Sequence, residues 1–353
     1  MHRLILVLAL GAATTLAACG SGDEDTNAPA KAATTTGSTA VAAAKPPTGL
    51  PAGHLLYRRY LTEDQSRAAI YAVAPGETNG HAVTHPPAGA ADGRATASPD
   101  GSRMTFARCT EGEPGETRIG EGACHLFTAN VDGSGVKRLS PKCCADENSP
   151  WYSPGGRSLT FARLWGKLKD GAAQHSEVFT MTTDGDKRTQ LTHGSGKGYR
   201  GDSGNPSFSP DGKRIAYTFE YSAATPQVGK RAIFIMDADG GNRRQLTPWS
   251  LDAGDFARFS PDGSRVMFRA NYGTGPGGDL YTIRPDGSGL KQLTHDVPGM
   301  LSAAWSPDGR YIAYAHEPDD GTQPDIWVMK ADGTGAARLT DSPQWDSAPT
   351  WGI

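Results

Sequence analysis

The run Gly201-Asp202-Ser203-Gly204-Asn205-Pro206 places a serine between glycines and directly after an acid, a setting that suits a nucleophile. Such chemistry needs a histidine base and a carboxylate to orient it. Three histidines, His85, His193 and His295, recur at related points of the chain, and three imidazoles are a common zinc ligand set. Asp237-Ala238-Asp239-Gly240-Gly241-Asn242 carries the first acids of a calcium loop but lacks the downstream bidentate Glu. Four acids, Glu147, Asp202, Asp255 and Asp346, stand ahead of apolar runs, where they suit a cation or a basic peptide. Acids at such bends also cap turns. No Gly-x-Ser-x-Gly elbow, His-Glu-x-x-His pair or phosphate-binding loop occurs. Each of these readings depends on what the surrounding chain builds.

That chain is a repeat. Ser-Pro-Asp-Gly begins at Ser98, Ser209, Ser260 and Ser306, and Ser-Pro-Gly-Gly at Ser153. The last copy shows the unit. Ala303-Ala304-Trp305 precedes the turn Ser306-Pro307-Asp308-Gly309, and two β-rich runs follow, Arg310–Ala315 and Asp325–Met329. Asp332-Gly333 then turns the chain into Ala337-Arg338-Leu339-Thr340. Pro sets φ at the first central turn position, and Asp and Gly tolerate the others. Four strands joined by hairpin turns, repeated along a chain, are the blades of a β-propeller. Successive turns are 55, 56, 51 and 46 residues apart, so the blades share a core and differ in one loop between the second and third strands. At the N-terminal end, Leu55-Leu56-Tyr57, Ala69–Val73 and Ala82-Val83-Thr84 match strands two to four of a blade that lacks its first strand. Ala348-Pro349-Thr350-Trp351 supplies that strand from the C-terminus. The expected fold is all-β: a six-bladed propeller of four-stranded antiparallel blades over 53–353, its ring closed by a C-terminal strand joining the N-terminal blade. Closure of this kind removes exposed sheet edges.

The phrases Phe208–Tyr217, Ile233–Asp237 and Gln245-Leu246-Thr247 resemble the WD-like repeats of the TolB-like propeller family. The resemblance covers about 300 residues and recurs five times. It implies the propeller fold and, for many members, a binding role without chemistry. TolB itself carries a small α/β domain ahead of its propeller; here a lipid-anchor signal and a linker occupy that place.

On this architecture the chemical motifs lose their urgency. Ser203 falls in a link between blades, with no histidine placed beside it by the repeat. The three histidines follow outer strands and spread around the rim, where they suit loop capping, and Asp239-Gly240 is an expected hairpin turn. The inner strands carry no histidine. No catalytic residue, metal or cofactor is assigned.

Residues 1–18 read as a secretory signal: His2 and Arg3, then an apolar stretch, then small residues. Leu16-Ala17-Ala18-Cys19 resembles the bacterial lipobox, which implies acylation of Cys19 and export to the periplasmic or surface side of a bacterial membrane. Residues 19–52 are rich in Ala, Thr, Gly, Ser and Pro and form a tether with a reach of roughly 30 Å. The net charge of −3, with acids and bases interspersed, gives no basic stripe for nucleic acid.

The remaining cysteines, Cys109, Cys124, Cys143 and Cys144, gather at one rim and suit disulfides in an exported protein. The favoured pairing is Cys109–Cys124 with a vicinal Cys143–Cys144 bond; cross-loop pairing and a metal site are the alternatives. The same rim collects the long loops and with them Trp165, Tyr199, Arg200, Tyr221, Trp249, Tyr272 and Trp345. Aromatics and Arg are enriched in interaction hot spots, although some of these rings also suit covers for blade ends. The candidate partner surface is therefore Glu147, Trp165, Tyr199, Arg200, Asp202, Trp249, Asp255, Trp345 and Asp346. The expected function is a monomeric, lipid-anchored module that binds an envelope protein or peptide. A hydrolase or lyase acting on a peptide or glycan at the channel mouth is the alternative.

Overall fold

The computed structural model describes residues 50, 53–110, 123–141, 146–165, 175–194, 201–221, 229–270, 278–295, 300–317 and 322–352. The signal, Cys19, nearly all of the tether, Cys143, Cys144, Tyr199, Arg200, Tyr272 and the side chain of Trp165 lie outside them.

Blade four shows why these residues form these strands. Its inner strand Gly201–Phe208 pairs with Arg214–Tyr221, that strand with Arg231–Asp237, and that one with the two-residue outer strand Arg244–Gln245. A blade has a neighbour on each side, so both faces of its sheet must be apolar and strict alternation gives way to near-continuous apolar runs. Ile215, Tyr217, Phe219 and Phe234 pack against Val178 and Leu191 of blade three. Ala216, Ile233 and Ile235, pointing the other way, pack against Ala257, Val266 and Phe268 of blade five.

The same division recurs around the ring. Blades two, three, five and six have inner strands Ala90–Ala97, Asp146–Tyr152, Gly254–Phe259 and Met300–Trp305. Blade one takes its inner strand, Asp346–Trp351, from the C-terminus. That strand pairs antiparallel with Leu55–Tyr60, Leu55 opposite Trp351 and Arg59 opposite Asp346. Blades one and two are also joined by one parallel bridge between Ala68 and Ala91. Each of the six junctions between neighbouring blades has its own buried cluster. The junction of blade six with blade one is among them: Ala304, Ala313, Ile326 and Val328 meet Leu55, Tyr57, Val73 and Trp351. Each inner strand packs on the next, Met300–Trp305 on Asp346–Trp351 and that strand on Ala90–Ala97, so the ring is complete.

The repeated phrase has a stated task for each residue. Ser209 Oγ donates to Asp211 Oδ1 at 2.5 Å and accepts the Arg214 amide at 2.9 Å, tying the two ends of the turn together. Ser98, Ser260 and Ser306 make the same pair of bonds. Those bonds hold the Asp carboxyls below the usual carboxylate range, Asp100 at about 2. The turn glycine needs φ near +70°, and the proline of the preceding turn stands within van der Waals reach of it, Pro154 Cδ lying 3.6 Å from where a Cβ on Gly212 would project. In the closing phrase Gln-Leu-Thr, the threonine hydroxyl accepts the amide of the third strand: Thr247 from Ile233 at 2.9 Å, Thr192 from Val178 at 2.9 Å, Thr340 from Ile326 at 3.0 Å. Thr84, Thr294 and, in blade two, Ser140 do the same. A two-residue outer strand leaves that amide without a ladder partner, and the hydroxyl supplies one. No helix among the described residues is long and apolar enough to cross a membrane.

Candidate functional site

The inner strands open with acids that the fold has already engaged. Asp92, Glu147 and Asp346 hold one equivalent place in blades two, three and one, and all three are fully buried. Each is met by an arginine of its own blade. Arg108 donates to both oxygens of Asp92 at 2.6 and 2.8 Å, and Arg59 to both oxygens of Asp346 at 2.7 Å. Arg188 donates to Glu147 Oε1 at 2.6 Å, while Ser140 donates to Oε2. Two-pronged, charge-assisted bonds of this kind offset the cost of taking both charges out of water. Glu147 and Asp346, expected at the channel mouth as partner ligands, are thus internal clamps.

Asp255 and Asp202 are less buried. Asp255 Oδ2 accepts from Arg269 at 2.7 Å. Asp202 Oδ1 accepts the Ser176 amide at 2.9 Å and lies 4.0 Å from His175 Nδ1, and burial raises its pKa. Both therefore support the backbone and neighbouring strands at the loop-bearing end. Trp249 packs at a tilt against Tyr221, ring centres 4.7 Å apart, and against Phe234 at 5.9 Å, which makes it a cover for the end of blade four. Trp345 meets Tyr60 at 5.7 Å in a T-shaped contact, and its indole N–H is buried without an acceptor among the described residues. Ser203 is fully buried, and its hydroxyl has no hydrogen-bond partner, and so no histidine base, among the described residues. His85, His193 and His295 are exposed, and no group of three metal-ligating side chains converges among the described residues. Cys109 and Cys124 face each other across the second and third strands of blade two and are joined by a disulfide.

What does converge is a set of residues on the channel side of the inner strands. Each inner strand slips register once, for example between Gly93 and Thr96, Asn148 and Trp151, and Gly204 and Ser207. At the slip, Arg94, Ser149 and Asn205 take φ values of 52°, 53° and 51°. A bulge with a left-handed residue re-aims side chains, and non-glycine residues accept that conformation only where the surroundings enforce it. Here it brings three successive blades together. Arg94 Nη1 donates to Ser149 Oγ and to Asn205 Oδ1, both at 2.7 Å. Arg258 arrives from blade five, two residues beyond its own bulge. Its guanidinium lies 4.2 Å over Trp151, and Nη1 reaches the carbonyls of Asn205 and Pro206 at 3.4 Å. Burial and the like charge of Arg94 bring the Arg258 pKa down to about 9.

A family model described as the TolB beta propeller domain matches residues 173–352, half of the chain. This chain belongs to the TolB β-propeller family. The solved TolB of Acinetobacter baumannii is similar with a TM-score of 0.61 and 17% identity, over 86% of this chain and 68% of that one. The putative TolB of Agrobacterium tumefaciens gives 0.56 and 17%, over 86% and 92%. An oligogalacturonate lyase of Vibrio parahaemolyticus gives 0.51 and 12%, over 82% and 80%. At these identities the likeness is one of fold. No curated protein matches in sequence. Within this TolB-type ring, the channel residues Arg94, Ser149, Asn205, Trp151 and Arg258 escaped sequence reasoning. A signal existed: Arg94, Ser149 and Asn205 each stand four residues before the Ser of a Ser-Pro turn.

Proposed function

We propose that this chain is a lipid-tethered, extracytoplasmic binding or scaffolding module of the bacterial envelope. Its partner is a protein or peptide, taken at the face where the second and third strands of the blades join. One observation carries this reading. The hairpins joining inner to second strands are five or six residues long in every copy, whereas the segments joining second to third strands run from seven to twelve. A rigid scaffold that keeps one face constant and varies the other is the usual support for recognition loops. Family membership and the lipobox-like Leu16-Ala17-Ala18-Cys19 agree with an envelope setting. The propeller acts as a monomer, since radial repetition leaves only two-residue outer strands as sheet edges among the described residues. Tyr199 and Arg200, in the sequence segment leading to blade four, are the contact candidates.

Two measurements test the reading. Cys19→Ala should move the protein from the membrane to the soluble extracytoplasmic fraction; unchanged fractionation would refute the anchor. Tyr199→Ala with Arg200→Ala should reduce capture of the cross-linked envelope partner about tenfold or more, as hot-spot losses do. Undiminished capture would move the binding surface elsewhere.

A further inference from the structure

We propose that blade three binds a carboxylate at its Ser-Pro turn, through the Ser153 hydroxyl and the Arg157 amide. Four turns keep their acid and show what it does. Asp100, Asp211, Asp262 and Asp308 each accept from the turn serine at 2.5 to 2.7 Å and from the amide two residues on at 3.0 to 3.1 Å. Donors of that kind favour the ionised form, and they hold Asp100 down at about 2, the Ser98 hydroxyl foremost. Blade three has Gly155 in place of the acid. The turn itself is kept: Gly156 donates to the Ser153 carbonyl at 2.9 Å, and Ser153 Oγ accepts the Ser158 amide at 3.1 Å. The Ser153 hydroxyl and the Arg157 N–H are thus the same pair of donors, with no acceptor among the described residues. The serine is also uncovered. Ser98, Ser209, Ser260 and Ser306 are 6%, 1%, 6% and 0% exposed, whereas Ser153 is only half-buried.

The surroundings give a carboxylate room and charge. Gly155 lines a cleft of about 700 Å³ between blades two and three. A Cβ on Gly155 would meet nothing within 4 Å, so the turn has space for an incoming group. Arg103 and Lys137 line the same cleft from blade two. Among the described residues Arg103 donates to Thr128 Oγ1 and Asn130 Oδ1, at 3.1 to 3.4 Å, and to no carboxylate. Lys137 is exposed and acts on Asp184 only at longer range. The acids of the cleft are taken up in their own turns, Asp100 by Ser98 and Ser102, Asp184 by Thr182 and the Asp186 amide. The groups left to meet a ligand are therefore donors, two of them cationic, and donors of that kind suit an anion. Tyr152 and Leu139, each 7% exposed, add an apolar wall, which favours an organic acid.

The site lies at the ends of the blades that carry the Ser-Pro turns and does not depend on the loop-face reading; either can fail without the other. Amide spectra of the nitrogen-labelled full-length chain test it by titration. Sodium acetate and acetyl-Asp-Gly-amide are the two probes, inorganic phosphate is the comparison, and sodium chloride holds the ionic strength. The Arg157 amide proton should move downfield and saturate, with a dissociation constant of roughly 1 mM, the scale of one charged contact set against the cost of association. Tighter binding of acetate assigns a free small acid and tighter binding of the peptide an acidic side chain; either supports the site. Gly155→Asp restores the acid within the turn. Its Arg157 amide should already stand downfield, and acetate should bind about tenfold more weakly or worse, because the tethered carboxylate competes at high effective concentration. Gly155→Ala adds a Cβ without a carboxylate and should bind as the parent chain does. Unmoved amides of Ser102, Lys213, Ser264 and Arg310 report that both variants are folded. An Arg157 amide that saturates with neither probe would overturn the proposal, as would phosphate bound more tightly than both or acetate binding undiminished in Gly155→Asp.

Discussion

Replacing Arg59 by Met tests how the ring is fastened. Arg59 lies on the strand Leu55–Tyr60 near one end of the chain, and Asp346 on the strand Asp346–Trp351 at the other. Their bidentate pair is fully internal: Asp346 is 0% exposed and Arg59 7%. The guanidinium is also stacked 4.7 Å over Tyr71 and 5.4 Å over Tyr57. Removing the cation leaves a buried carboxylate without its partner, which costs about 3–5 kcal/mol. At roughly 2–4 °C per kcal/mol for a domain of this size class, the melting temperature should fall by roughly 6–20 °C. Replacing both partners, Arg59→Met with Asp346→Leu, removes the stranded charge and should recover most of the loss. The pH dependence has a definite sign. Burial raises the Asp346 pKa above its usual value, with Arg59 opposing the rise, so loss of Arg59 raises it further. A raised carboxyl binds more protons folded than unfolded, so stability falls as pH climbs above the unfolded pKa. The Arg59→Met defect should therefore be smaller at pH 5 than at pH 7. Urea unfolding followed by tryptophan fluorescence reads both, with Trp345 and Trp351 at the seam. Arg58→Met is the control, because among the described residues Arg58 donates only to Ser347 Oγ across the same strands. A cost equal to that of the control, or one that does not change with pH, would refute the clamp.

Two further substitutions probe the repeat. Thr247→Val keeps the shape but strands the buried Ile233 amide, so urea unfolding should show a loss of about 1–3 kcal/mol, and Thr247→Ser should restore most of it. Gly133→Ala places a Cβ 1.8 Å from the Val83 carbonyl at a φ of 84°, so thermal melts should fall sharply; the same change at Gly76, which has open space at a φ of 93°, should cost much less.

The fold was legible because the repeat spells out its own bonds. The Ser of each turn caps it, the Pro meets the next turn, and the Thr of Gln-Leu-Thr completes the third strand. The seam was legible for the same reason, since Ala348–Trp351 repeats an inner strand that the first blade lacks. The site was far less legible. Glu147 and Asp346 are visible as acids, but the arginines that consume them lie 41 residues downstream and 287 upstream. The meeting of Arg94, Ser149 and Asn205 spans up to 111 residues and depends on bulges, which turn side chains away from the face that a period of two assigns them. Trp249 illustrates the converse: an aromatic near a loop reads as a contact residue, yet its ring is spent on Phe219, Tyr221 and Phe234.

The central claim is that recognition belongs to the face that does not repeat. Site-specific photocross-linking in intact cells tests it most directly, with the photoreactive residue placed at Tyr199, in the segment leading to blade four, or at Lys213 in a Ser-Pro-Asp-Gly turn. A discrete cross-linked envelope protein from Tyr199 and none from Lys213 is the predicted result. Cross-linking from Lys213 with Tyr199 silent would contradict it.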